Sequence, residues 1–200
     1  FYQDWTEARA GGRIALGYQL TPDLSTNVSL RAENVSISNP TVPTPTDLAN
    51  VLGNTGLYVG RWDMQHDTRD STFLATQGHL VSVGFEQGFG TFSYPKFTAT
   101  ASQYILLHER PDRSGRHVLS LWTDFGLSGT DTPIYERFYA GGFGSLRGFM
   151  FRGVTPLDLG VQVGGRLSWL NSLEYLFPIT ADDMLRGVMF CDFGSVESNL

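Results

Sequence analysis

Apolar and polar residues alternate with a period of two along most of this chain, and no segment of useful length carries the 3.6-residue period of an amphipathic helix. Eight alternating stretches stand out, at 9–20, 25–38, 55–66, 78–87, 96–108, 116–127, 166–178 and 184–195, separated by turn residues. Period two sends successive side chains to opposite faces of a strand. In 166–178, Leu167, Trp169, Leu173, Tyr175 and Phe177 share one face, and Arg166, Ser168, Ser172 and Glu174 share the other. In 116–127, Leu119, Leu121, Phe125 and Leu127 oppose Ser120, Trp122 and Asp124. In 184–195, Leu185, Met189, Cys191 and Phe193 oppose Arg186 and Asp192, but Val188 and Phe190 also fall on the polar side. The pattern predicts an all-β, antiparallel protein.

Alternation alone fits two architectures. In a soluble sandwich the apolar face points to a core; in a transmembrane barrel it points to lipid and the polar face lines the lumen. Strand length and connections favour the barrel. Most stretches match the ~9–11 residues a tilted strand needs to cross a bilayer. The connections at 21–24, 67–77, 109–115 and 179–183 alternate with longer ones at 39–54, 88–95 and 128–165, as in barrels with short turns on one side and long loops on the other, although 67–77 is not very short. The connection 128–165 is far longer than a structureless loop should be and is expected to be functional, on the extracellular side.

Composition narrows the field. Charged residues are 17% of the 200, below the usual quarter for a soluble domain, while aromatics are 13% and glycines number 23. No apolar run reaches the ~18 residues of a spanning helix. The net charge of −6 with no basic run argues against nucleic acid as a partner. Cys191 is the one cysteine, which excludes an internal disulfide and a cysteine-built structural zinc site; no metal or cofactor is expected. The chain begins at Phe1 without a leader and ends just after a strand, so the whole of 1–200 is expected to be part of a larger barrel. Half a barrel would leave two bare strand edges.

The long connection contains Tyr135-Glu136-Arg137-Phe138-Tyr139-Ala140-Gly141-Gly142-Phe143-Gly144-Ser145-Leu146-Arg147-Gly148-Phe149, followed by Leu173-Glu174-Tyr175-Leu176-Phe177-Pro178 and Phe190-Cys191-Asp192-Phe193-Gly194. This set closely resembles the BamA-type outer-membrane assembly factor family, which carries a bacterial surface antigen barrel domain. The resemblance covers roughly 63–194. It includes Asp67-Thr68-Arg69-Asp70 with Ala75-Thr76-Gln77-Gly78, where Ala75 stands in place of the family's Pro. It implies a 16-stranded barrel, about eight of whose strands are here, with periplasmic POTRA domains and first strands upstream and final strands downstream. It also implies that the loop folds into the lumen and ends in the tip Leu146, Arg147, Gly148 and Phe149, with Leu146 in place of the family's Val. Lumenal acids of the following strands, Glu174 and Asp192, would hold Arg147. The function implied is folding and insertion of other outer-membrane proteins in the outer membrane of a Gram-negative-type bacterium. Its partners would be membrane lipid, unfolded outer-membrane proteins and accessory lipoproteins. Sibling readings are a TamA-like or two-partner secretion pore, the barrel of a lipase-fused protein, and a passive porin.

The residue types suit these roles chemically. Arg offers a permanent charge and a planar fork suited to carboxylates. A long loop needs such an anchor, because ordering it costs about 1–2 kcal/mol per residue. Gly141, Gly142, Gly144 and Gly148 would supply tight, positive-φ bends, and Phe149 would pack against its neighbours. Plainer uses compete. Arg147 alone would be an ordinary surface arginine. The glycine run lacks the Lys-Ser/Thr and helix of a phosphate cradle. Asp63, Asp67 and Asp70 lack the spacing of a calcium loop and more simply cap a turn. Glu174 and Asp192 as a glycosidase pair, or Cys191 as a nucleophile beside His66, His79, His108 or His117, have less support than lumenal pairing and packing. Trp62, Trp122 and Trp169 are candidates for interfacial girdles or lumen fillers. No enzymatic chemistry is expected.

Overall fold

The computed structural model describes residues 4–180 and 184–199. All eight predicted strands form: β1 (Thr6–Thr21), β2 (Leu24–Ser38), β3 (Gly53–Asp67), β4 (Gly78–Gly90), β5 (Tyr94–His108) and β6 (His117–Ser128), then β9 (Leu167–Pro178) and β10 (Arg186–Glu197). They make one antiparallel sheet in the order β1-β2-β3-β4-β5-β6-β9-β10, so every strand pairs with its neighbour in this series and β1 and β10 are the edges. Between β2 and β3 lies a one-turn helix, α1 (Thr46–Ala49); between β6 and β9 lie a 3₁₀ turn (Ile134–Glu136) and the two-residue strands β7 (Leu157–Asp158) and β8 (Val161–Gln162).

Connection lengths differ from the expected alternation. β4 and β5 extend until Gly88 pairs with Tyr94, leaving only 91–93 between them where a longer loop was expected. Backbone pairing consumes what composition had marked as loop. The turn 68–77 is long but ordered: Asp70 accepts from the Thr76 hydroxyl (2.5 Å) and amide (2.8 Å) and from the Gln77 amide, and Asp67 holds Arg69. The predicted connection 179–183 includes 181–183, which lie outside the described residues.

The two faces of the sheet are inverted relative to a water-soluble protein. One face is open and apolar, with Ile14, Leu16, Tyr18, Val28, Leu30, Trp62, Phe85, Leu121, Trp169 and Phe193 exposed. The opposite face is covered, and buried Ser29, Thr55, Glu86, Ser102, Ser128, Ser168 and Ser172 lie on it. Trp122 is on this covered face, whereas Trp62 and Trp169 are on the open one.

What covers the polar face is the loop 129–166. It lays down two apolar clusters. In one, Ile134, Tyr135, Val161 and Val163 pack with Val35, Ile37, Leu57, Val59 and Tyr94 of the sheet and with Leu48 and Val51 around α1. In the other, Ala140 and Leu146 pack with Leu170 and Val196, flanked by Trp122, Phe138 and Val154. The covered face is therefore not uniformly polar: where the loop sits, the strands supply aliphatic side chains to receive it.

Candidate functional site: the loop tip on β9 and β10

The site is built by strand register. β10 pairs with β9 so that Asp192 lies opposite Ser172 and Phe190 opposite Glu174. Directly opposed residues in an antiparallel pair have Cα atoms only ~5 Å apart, and residues two apart share a face. Two carboxyl groups, one hydroxyl and one aromatic ring thus converge on a single patch of the covered face.

The loop delivers the cation. Gly142 donates its amide to the Leu146 carbonyl (3.1 Å), the Ser145 amide donates back to Gly142, and the Gly141 amide donates to the Ser145 hydroxyl (2.9 Å), closing a tight turn over 141–146. Gly141 and Gly142 adopt φ of 111° and 99°, a region that side chains disfavour, and Gly148 adopts 89°. Gly144 departs from expectation: it has no positive φ, and a side chain there would meet open space. Leu146 is buried between Leu170 and Val196 and fixes the depth of the turn, so that Arg147 emerges directly over the carboxylates.

Arg147 is bound through every nitrogen it has. Its backbone amide donates to Asp192 Oδ2 (2.9 Å), Nε to the same oxygen (2.7 Å) and Nη2 to Asp192 Oδ1 (2.5 Å). Nη2 also reaches the Ser172 hydroxyl (2.7 Å) and Nη1 reaches Glu174 Oε1 (2.6 Å). The guanidinium lies 3.7 Å from the Phe190 ring centroid. Hydrogen bonds donated to Asp192, opposed by burial and reinforced by Glu174, raise the guanidinium further above its already high range. The bidentate grip is the strongest form of carboxylate–guanidinium contact. The Asp192 side chain is only 3% exposed, while that of Glu174 is 36% exposed, so Asp192 is the principal partner.

Of the tip residues singled out from sequence, Leu146 and Arg147 meet the sheet, Glu174 and Asp192 meet Arg147, and Gly148 turns the chain. Phe149 does not pack as expected: its ring is about half exposed, because Leu146 rather than Phe149 fills the pocket beside the strands. Sequence reading placed Ser172 on the polar face without a role and left Phe190 as a misfit in the alternation. The register explains both. Ser172 opposes Asp192 and shares its guanidinium, and Phe190 is the apolar floor on which that guanidinium rests.

The competing chemistries find other uses for their residues. Glu174 and Asp192 hold one guanidinium between them. Cys191 is exposed on the open face. His66 and His79 share a 2.8 Å hydrogen bond, and His117 bonds the Tyr175 hydroxyl (2.7 Å). Asp63 pairs with Arg61. Among the described residues no group of three or more His, Cys, Asp or Glu could hold a metal ion. What the arrangement does is hold a loop in one place.

A sheet with an open apolar face and a polar face plugged by its own loop is the wall of a β-barrel that crosses a membrane. No helix among the described residues is long and apolar enough to cross one. The sequence profile of the Omp85 superfamily domain matches residues 1–199, and the chain belongs to that superfamily of outer-membrane barrels. It is 42% identical over 136 residues to the outer membrane protein assembly factor BamA of Nitratidesulfovibrio vulgaris (strain Hildenborough), covering 64% of this chain and 17% of that protein. It is 26% identical over 211 residues to BamA of Neisseria meningitidis serogroup B, covering 94% of this chain and 26% of that protein. The human sorting and assembly machinery component 50 homolog is 27% identical over 120 residues, covering 56% of this chain and 24% of that protein. The crystal structure of BamA from Haemophilus ducreyi lacking POTRA domains 1–3 shares the fold, with a TM-score of 0.79 at 18% identity, over 96% of this chain and 42% of that one. The chain thus spans about a quarter or less of the length of these curated relatives.

Proposed function

We propose that this chain is part of the barrel wall, with its lumen-inserting loop, of a factor that folds and inserts other β-barrel proteins into the outer membrane of a Gram-negative-type bacterium. In this reading the sheet is about half of a 16-stranded barrel, the loop 129–166 enters the lumen from the extracellular side, and POTRA domains belong to the same polypeptide. Its partners are outer-membrane lipid, unfolded outer-membrane proteins and accessory lipoproteins, and it makes and breaks no covalent bond. The observation that carries the proposal is the clamp of Arg147 by Asp192 and Glu174, which ties the loop to β9 and β10. Similarity to proteins named as assembly factors in two bacterial species supports the same reading.

The full-length protein in proteoliposomes, given urea-unfolded barrel substrates, tests it. Heat-modifiable electrophoretic mobility reports folded product. Wild type is expected to raise the folding rate well above that of empty liposomes, and Asp192→Lys, which reverses the charge facing Arg147, is expected to lose most of that gain. Equal rates for wild type and empty liposomes would refute assembly activity. A TamA-like or two-partner secretion role predicts instead transport of one dedicated substrate.

A further inference from the structure

The polar face holds a second ionic cluster, centred on a loop residue upstream of the tip and of opposite polarity. Glu136, in the 3₁₀ turn at the base of the loop, is 8% exposed at its side chain. Its Oε1 accepts from Arg9 of β1 (2.7 Å) and its Oε2 from Arg31 of β2 (3.1 Å), while its carbonyl oxygen accepts from Lys96 of β5 (2.6 Å). Arg9 also donates to the Tyr135 carbonyl (3.1 Å), and the Tyr135 hydroxyl bonds Thr55 of β3 (3.1 Å). The tip is a cation held by two anions on β9 and β10; the base is an anion held by cations on β1 and β2, with Lys96 of β5 on its backbone carbonyl. One loop therefore grips both flanks of the eight-stranded sheet.

The stretch between the two grips is stiff. Phe138 pairs with Gly165 through both backbone bonds (2.9 Å each), and the Tyr139 hydroxyl donates to the Ile134 carbonyl (2.8 Å). Lys96 lies 4.6 Å over the Phe138 ring, and Ala140 exchanges bonds with Val154 and Thr155 before the turn at 141–146 begins. Displacing Glu136 therefore moves a hydrogen-bonded strut, with little slack to absorb the shift before Arg147.

We propose that Glu136 is a positioning residue that acts through this strut: by fixing the loop's base to β1 and β2 through its carboxylate, it sets where Arg147 lands on β9 and β10. The proposal deepens the assembly reading and rests on it only for its biological use, because loop seating is measurable without any assembly assay. Other charged or titratable groups near the cluster are Glu7 on β1, Glu33 on β2, Arg61 and Asp63 on β3, Glu86 on β4 and Tyr94 on β5. Burial alone would raise the Glu136 carboxyl, but Arg31 and Arg9 outweigh it and hold it below the usual glutamate range. A lowered folded-state value means that the stabilisation is fully present above the ordinary Glu value of ~4.3 and is lost as pH falls through the lowered value.

The test is amide hydrogen exchange of the full-length protein in lipid nanodiscs, for wild type, Glu136→Gln and Glu136→Asp. Glu136→Gln keeps the shape and removes the charge. It is expected to speed exchange of the Gly142 and Arg147 amides, which bond at the tip, about tenfold or more, with Glu136→Asp partly restoring protection. Acidification below the ordinary glutamate value of ~4.3 should erode tip protection in wild type more than in Glu136→Gln, with little change between pH 6 and 5. If Glu136→Gln loosens only 134–138 and leaves the Arg147 amide protected, with the same pH profile as wild type, the base is local packing and the inference is wrong. If the tip loosens while barrel assembly proceeds at the wild-type rate, the inference stands and the assembly reading of the loop fails.

Discussion

Arg147→Ala removes four side-chain hydrogen bonds, to Asp192 Oδ1 and Oδ2, Ser172 and Glu174, and leaves only the backbone amide bond to Asp192. The cost is set less by the bonds lost than by the carboxylate stranded. Breaking a buried ion pair by deleting one partner costs roughly 3–5 kcal/mol, because the remaining charge is left uncompensated. Asp192 is at the buried end of that range, whereas Glu174, 36% exposed, is rescued by water. The lower bound, ~3 kcal/mol, is the appropriate figure, and at ~1.4 kcal/mol per decade it shifts the seated-to-released ratio of the loop about 100-fold. Hydrogen exchange of residues 140–154 in the full-length protein reads that ratio directly. Arg147→Lys, which keeps the charge but not the planar fork, should fall between wild type and alanine. An exchange rate within threefold of wild type for Arg147→Ala would show that the apolar clusters seat the loop by themselves.

Other parts of the structure make independent predictions. A Cβ at Gly126 would overlap the Phe138 ring, so Gly126→Ala should destabilise the seated loop by about 1–3 kcal/mol, seen as a lower melting temperature of the reconstituted protein. Leu121 is on the open face, so Leu121→Arg should lower insertion into vesicles by roughly 2–4 kcal/mol if it lies near the bilayer midplane, whereas Ser120→Arg on the covered face should insert far better. Cys191, also on the open face, should resist a membrane-impermeant maleimide in vesicles and react once the protein is unfolded; labelling in intact vesicles would place that face in water.

The strand pattern could be read without coordinates, and a family resemblance pointed to Arg147, Glu174 and Asp192. Alternation is a local property: a side chain's face follows from its position in its own strand, so Glu174 and Asp192 fall on the polar side whatever surrounds them. Coordinates were needed wherever two distant segments meet. The pairing of Ser172 with Asp192 and of Glu174 with Phe190 depends on the register of two strands, which no single strand encodes. Phe190 breaks alternation in its own strand because it answers to an arginine 43 positions earlier, resting under Arg147. Glu136 is one acid among many in sequence and becomes an anchor only because Arg9, Arg31 and Lys96, from three separate strands, share the face beneath it. The shortened turn at 91–93 and the aliphatic bed of Val35, Ile37, Leu57 and Val59 have the same origin. The sequence by itself decided which face each strand residue takes; tertiary structure decided which residues touch and so form the clamp, because contact free energy depends on distances that only the assembled sheet and its loop define.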